Sequence, residues 1–285
     1  MINSRPVQSA PYGYWRFIAF LERSSQFMRI IRDNKYVDSQ RRRAKYSAIL
    51  GFLALVGTFP VAFLMQGNTG FVLITYLLLL GGFVLFNRGM RSVGRWSHNA
   101  RHAREDLALD HQLSDLSDRF TLIHYSAVEG GMVDHLLVGP SGVTVIRTTD
   151  FPGPVSVKDD QWRKSGPMLS RMFTFSGPQL GNPTRDADKD FALMDQTLVK
   201  HEVDVDIYTA IVFTASTADL SVEGSSHPVM PVNELDGFVK AMDADQAFTS
   251  VERDKIVSLF GSTGEIQNAP QTSTRRPVKV KKRAA

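Results

Sequence analysis

Cysteine is absent from the 285-residue chain. That excludes disulfides, thiolate catalysis and cysteine-bound zinc, and it is compatible with a reducing compartment. Acid is scarce at the start: residues 1–104 hold 15 Lys/Arg against 3 Asp/Glu. Charge of either sign is missing from Tyr46 to Asn87. No P-loop, no Ser-His-Asp arrangement with motif support and no internal repeat is present. The opening MINSRPVQSAPYGYW lacks an apolar core and a small-residue cleavage site, so it does not read as a signal peptide.

The net charge of +4 conceals its distribution. Residues 1–104 carry +12, residues 275–285 carry +6, and residues 105–274 carry −14. Binding to a phosphate backbone depends on Lys and Arg. The long acidic segment is therefore a poor electrostatic match for DNA unless one face holds a basic stripe.

The charge-free run is too long for one membrane crossing and fits two, at ~20 apolar residues each. Gln66-Gly67-Asn68-Thr69-Gly70 is the natural turn, leaving spans at about Ser47–Met65 and Phe71–Phe86. Pro60 is tolerated where neighbouring groups satisfy the freed carbonyl. A hairpin buried in a soluble core is the alternative. Arg41, Arg42, Arg43 and Lys45 precede the run, and Arg88, Arg91 and Arg95 follow it. By the positive-inside rule the chain is a multi-pass protein of the cell membrane, with the N-terminus and the C-terminal domain in the cytoplasm. The same cations would hold anionic membrane lipid headgroups.

Ahead of the run, Phe17, Phe20, Met28 and Ile31 recur at roughly helical spacing among arginines. That pattern predicts an amphipathic helix from Tyr14 to Ile31, lying on a membrane or packed on the soluble domain. Behind the run, Arg88 to Asp118 reads as helical, with Val93, Trp96, Leu107, Leu113 and Leu116 on one side. His98, His102 and Glu105 share a spacing that suits a metal, but no HExxH pattern supports one, and a solvated helix face is the default.

The stretch from Met132 to Asp150, MVDHLLVGPSGVTVIRTTD, reads as a β-hairpin at the middle of a sheet. Gly139-Pro140-Ser141-Gly142 supplies the turn, and Val143 to Ile146 returns rich in β-branched residues. Asp134 is the oddity, a carboxylate among residues that favour burial. Such an acid is paired, hydrogen-bonded or metal-bound, or else sits at the strand's wet end.

Asp134-His135, the Gly-Pro-Ser-Gly turn and the second strand resemble the nuclease-related domain, the NERD family, of the restriction-endonuclease-like superfamily. The resemblance runs from about Arg104 to Val239. It implies an α/β fold, a mixed sheet flanked by helices, here preceded by a two-helix transmembrane hairpin. It also implies a Mg²⁺-dependent nuclease site of two acids and a lysine. The family's first-helix glutamate falls on Glu105 and its aspartate on Asp134. Its second acid is replaced by Arg147, its lysine by Thr149, and a glutamine of an Asn-Pro-x-x-Gln motif by Asp186. A cation thus stands where a cation should bind.

The organisation expected is a basic amphipathic region at 1–45, two transmembrane helices at 46–87, a helical connector at 88–103, the NERD-like domain at 104–261 and a disordered basic tail at 262–285. Within the domain, strands are expected at Phe120–Ala127, Val155–Lys158, near Trp162, at Ile207–Phe213 and at Pro228–Val232. Helices are expected from Asn182-Pro183 to about Lys200, at Glu234–Met242 with Asn233 as cap, and at Thr249–Phe260. The tail ends in Arg275, Arg276, Lys279, Lys281, Lys282 and Arg283, which suit nucleic acid, anionic lipid or simple solubility.

Three functions follow. The first is a membrane-anchored, catalytically inactive NERD-like scaffold that docks protein partners and needs no cofactor. The second is an active Mg²⁺ nuclease with migrated ligands, using Glu105, Asp134 and Asp150 or Asp186, with Lys158 as the substitute lysine. The third is a non-cleaving DNA tether that uses the basic tail.

Overall fold

The computed structural model describes residues 28–64, 69–96, 104–165, 180–242 and 249–268. Its centre is a seven-stranded mixed sheet. The strands are β1 (Arg29–Arg32), β2 (Thr121–Val128), β3 (Gly131–Gly139), β4 (Gly142–Thr149), β7 (Ile207–Phe213), β9 (Val229–Pro231) and β10 (Glu265–Asn268). They lie in the order β10-β1-β2-β3-β4-β7-β9. The predicted hairpin β3–β4 sits in the middle, and its turn is tight: Gly139 pairs with Gly142. A Cβ on Gly139 would meet the Phe120 ring at 2.6 Å, and one on Gly142 the Asp206 carbonyl oxygen at 2.6 Å, so both positions need glycine. A second sheet, β6-β5-β8, holds β5 (Gly153–Lys158), β6 (Gln161–Lys164) and β8 (Ala218–Glu223).

Strand alternation sends side chains into cores on both faces. On one face Leu122, Leu137, Ile146 and Val212 pack with Leu109 of α3 (Glu105–Gln112), with Leu113 just after it, and with Val239 of α5 (Leu235–Met242). On the other, Leu136, Val143 and Val145 pack with Met194 and Leu198 of α4 (Pro183–Lys200) and Phe260 of α6 (Ser250–Phe260). The mixed sheet between helices fits a restriction-endonuclease-like fold.

Two helices leave this body. The first, α1 (Asn34–Leu64), starts directly after β1, and the second, α2 (Thr69–Trp96), returns. Both are long and apolar enough to cross a membrane. They are not core helices, since Phe59 and Phe63 are about three-quarters exposed and Leu53 and Leu77 more than half. The two pack closely at small residues. A Cβ on Gly89 would lie 2.3 Å from the Ala48 nitrogen, and one on Gly51 2.3 Å from the Phe86 nitrogen. Close backbone approach of this kind is how helices associate without a hydrophobic drive between them.

Several sequence expectations need correction. Arg29–Arg32 is a strand, not the end of an amphipathic helix; residues 14–27 lie outside the described residues. Ile30 belongs to one core and Ile31 to the other, so β1 is sandwiched between both faces and takes its place from parallel pairing with β2. The helix expected over 88–118 is divided: α2 ends at Trp96, residues 97–103 lie outside the described residues, and α3 ends at Gln112. There Ser114 Oγ donates to the His111 carbonyl, and the chain turns while Leu113 and Leu116 stay in the core. The stretch expected to be disordered from 262 opens with β10, held antiparallel to β1. The sheet domain therefore recruits residues before the hairpin and after 261. Val232–Glu234 is a 3₁₀ turn, so Asn233 lies within it and α5 begins at Leu235. Thr69 and Gly70, expected in the inter-span turn, are already helical. The strand β8 carries no clear alternation, so the sequence predicts no strand there.

Candidate functional site

The candidate site lies where β3 and β4 splay apart. Their paired register ends at Leu136–Val145. Two residues further along each strand stand Asp134 and Arg147, joined side chain to side chain. Arg147 Nη1 is 3.4 Å from Asp134 Oδ2. Helix α4 completes the group. Asn182 caps it by accepting from the Arg185 amide at 3.1 Å, and Pro183 fills its first turn. That start puts Asp186 and Asp190 one turn apart on the same side. Arg147 reaches both, with Nη2 3.3 Å from Asp186 and Nη1 3.3 Å from Asp190.

A second arginine comes from the end of α2. Arg95 Nη2 lies 2.9 Å from Asp134 Oδ2 and 3.6 Å from Glu105 Oε2. Glu105, at the start of α3, also accepts from Thr148 Oγ1 at 2.7 Å. The structure thus brings Glu105, Asp134, Arg147 and Asp186 into one cluster. Thr149 is half-buried at the end of β4, next to Thr148. Lys158, expected as a substitute lysine, belongs to the second sheet and faces Glu223 at 3.8 Å. Asp150 is near enough to Glu105 to disfavour its charge. His98 and His102 lie outside the described residues, as do the six basic tail positions from Arg275 to Arg283.

Burial and charge set the protonation of these acids. Burial alone would raise Asp134, but Arg95 and then Arg147 hold its carboxyl below the usual range. Glu105 is raised by burial, against the pull of Arg95 and the Thr148 hydroxyl. Asp190 is pushed up to about 6 by burial, with Arg147 opposing and Asp134 adding to the rise.

A second polar group lies beneath, on the α3 side of the sheet. Asp106 and Asp110 sit one helical turn apart and are buried. Arg32 of β1 meets Asp106 at 3.0 Å and pairs with Asp110. Arg104 also pairs with Asp106. Asp110 Oδ1 is 2.8 Å from His124 Nε2, and His124 Nδ1 is 2.8 Å from His135 Nδ1. Donor and acceptor roles between the two rings follow their tautomers, and the ring nitrogen left over at the end of the chain is His135 Nε2. That atom is buried and has no hydrogen-bond partner among the described residues. Burial and then the neighbouring His124 bring His135 down to about 3, so it stays neutral. Arg104, Arg32 and His124 outweigh burial at Asp106 and keep it ionised.

Beside both groups stands Tyr125, with φ at +60°. For a bulky residue that conformation costs ~1–3 kcal/mol and persists only where its surroundings impose it. Its ring lies 5.3 Å from Trp96 and 5.5 Å from Tyr36.

Sequence reasoning missed Asp190, Arg95 and the Arg32–Asp106–Asp110–His124 group. The four-residue spacings of Asp186/Asp190 and Asp106/Asp110 were usable signals. Nothing local marks Arg95, whose partner is 39 residues away.

A divalent ion does not fit this donor set as it stands. The Arg147 guanidinium occupies the space between three carboxylates, and Arg95 uses the Asp134 oxygen from the other side. Among the described residues no group of three His, Cys, Asp or Glu is arranged to hold a metal. What the arrangement provides is a charge-paired patch of four acids and two arginines.

Residues 100–214 match the family model of the nuclease-related domain, NERD, roughly two-fifths of the chain. That match covers Glu105, Asp134, Arg147, Thr149 and Asp186. No curated protein and no solved structure matches the chain.

Proposed function

We propose that the nuclease-related domain of this chain is catalytically inactive and serves, at a membrane, as a docking or scaffold module for protein partners. One observation carries the reading: Arg147 stands within 3.4 Å of Asp134, Asp186 and Asp190. A guanidinium there supplies permanently the positive charge that a nuclease takes from a metal, but it offers no activated water and no open coordination position. Thr149 provides no ammonium, and the net charge of −14 over 105–274 opposes a DNA backbone.

The anchor reading rests on the hairpin. Its charge-free part spans about 28 Å on each helix at 1.5 Å per residue, close to the ~30 Å hydrocarbon thickness. Both ends return to one sheet, because β1 before the hairpin pairs with β2 after it. The domain therefore lies on one side, and the flanking arginines favour the cytoplasmic side, against anionic lipid.

A second reading is a nuclease with migrated ligands, favoured by the grouping of Asp134, Asp186 and Asp190 about Arg147 and of Glu105 and Asp134 about Arg95. Full-length protein separates the two, since a fragment starting after the hairpin would lack β1. With Mg²⁺ or Mn²⁺, single- and double-stranded DNA are expected to stay intact. Cleavage that disappears in Asp134→Ala would overturn the scaffold reading.

A further inference from the structure

We propose that the end of α2 is a latch on the carboxylate–arginine site, so that the position of the membrane hairpin sets the conformation around Asp134. The proposal rests on the reading that the hairpin spans a bilayer, and it holds whether or not the site cuts nucleic acid.

The grip is double. Arg95 enters the site itself, 2.9 Å from Asp134 and 3.6 Å from Glu105. The next residue, Trp96, is buried in an aromatic cluster with Val37, Tyr125 and the flanking Tyr36. Tyr36 and Trp96 lie edge to face at 5.8 Å, and they come from the two different helices of the hairpin. Between them they hold the ring of Tyr125.

The held residue is the strained one. Strands β2 and β3 pair His124 with His135 and Ser126 with Val133. The pair between these, Tyr125 with Asp134, is missing from the ladder. Tyr125 is also the residue of β2 with φ at +60°. The interruption of the sheet thus falls on the acid of the site, and rings from the hairpin impose it. Two arrangements follow. In the latched one, Tyr125 is turned out of the ladder and Asp134 is shared by Arg95 and Arg147. In the released one, Trp96 and Arg95 withdraw, Tyr125 returns to extended backbone, and the ladder closes across positions 125 and 134. A residue at positive φ persists only while its neighbours hold it there, so withdrawing them removes what maintains it. The helix α2 runs unbroken from the charge-free segment to Trp96, so a change of tilt or depth in the bilayer is carried to Arg95.

The test uses the full chain in vesicles. The native sequence has no cysteine, so Thr149→Cys is a single thiol. Thr149 is half-buried at the end of β4, two residues past Arg147. Thr209→Cys, on β7 and 8% exposed, is the control thiol. Maleimide labelling is measured in vesicles of short, medium and long acyl chains, with flotation to establish insertion. The expected result is a Thr149→Cys rate that changes at least about threefold with bilayer thickness. Adding Arg95→Gln and Trp96→Ala raises it about tenfold and removes the dependence, while Thr209→Cys stays slow throughout. A Thr149→Cys rate that is flat across thickness and unchanged by the two substitutions, in protein that floats with the vesicles, overturns the latch alone. Parallel acceleration at Thr209→Cys overturns it too, because it signals general loosening. Protein that fails to float overturns the bilayer reading and the latch together.

Discussion

Arg147 and Asp134 face each other across β3 and β4 two residues beyond the last backbone pair, Leu136–Val145, and a side-chain ion pair of 3.4 Å continues what the ladder leaves off. The guanidinium is shared with Asp186 and Asp190 and is only 22% exposed. Removing it takes from Asp186 and Asp190 the cation they share, while Asp134 keeps Arg95. Arg147→Ala is expected to destabilise the domain by ~1–3 kcal/mol, less than the loss of a fully buried pair, because Asp186 is 43% exposed and solvent screens it. Arg147→Lys recovers part of that loss, since one ammonium cannot serve three acids with fixed forks. Thermal unfolding of the full-length protein measures both.

Restoring the family's residues tests what the arginine replaced. In the double variant Arg147→Glu, Thr149→Lys, Mg²⁺ is expected to raise the unfolding temperature. Stabilisation by a ligand grows as RT ln(1 + [L]/Kd), or ~2.7 kcal/mol at a hundredfold excess over Kd. The native chain is expected to show no shift over the same titration. An equal shift in both proteins would mean that Arg147 does not block the ion.

Asp190 gives the site a pH dependence of definite sign. Its carboxyl is raised from 3.8 to about 6 in the fold. Between those values the folded state binds more protons than the unfolded one, so its contribution to stability falls as pH rises through that window. Asp190→Asn is expected to flatten the slope between about pH 4 and 6. It should also stabilise the protein at pH 7 by on the order of 1–3 kcal/mol, since each tenfold change in proton affinity is worth ~1.4 kcal/mol. Denaturant unfolding at a series of pH values reads the result, and a steeper slope in the variant would contradict it.

The hairpin depends on close contact of its backbones. Gly89→Leu or Gly51→Leu would place a Cβ 2.3 Å from a backbone nitrogen of the other helix, so the helices must separate. Gly57 and Gly81 meet nothing within 4 Å, and alanine there should be tolerated. Cross-linking of cysteines placed on α1 and α2 is expected to fail in the leucine variants and to persist in the alanine ones.

The C-terminal segment divides into two parts with different effects. Ending the chain at 262 removes β10, uncovers the edge of β1 and frees Arg32 from Gln267, which accepts from it at 3.3 Å. A drop in unfolding temperature is expected. Ending it at 274 keeps β10 and removes only the basic run, so stability should be unchanged. A gel shift at moderate salt then tests the DNA tether, whose binding would have to vanish with that run.

Where the sequence was legible, the signal was local. Forty-two consecutive residues without charge, from Tyr46 to Asn87, read as a hairpin of apolar helices, because a helix facing water ordinarily carries a charged or polar side. The Gly-Pro-Ser-Gly turn between β-branched runs specified β3 and β4, because turn chemistry and alternation act within a few residues. Arg147 in an acid's position was visible for the same reason. Other features depended on partners far along the chain. Ile30 and Ile31 become a strand only because β2, after the whole hairpin, pairs alongside them. Asp190 joins Arg147 only because α4 packs on β4, and Arg95 reaches Asp134 only because α2 ends beside β3. Charge pairing and strand neighbourhood are set by distance in space, which periodicity along a chain does not encode.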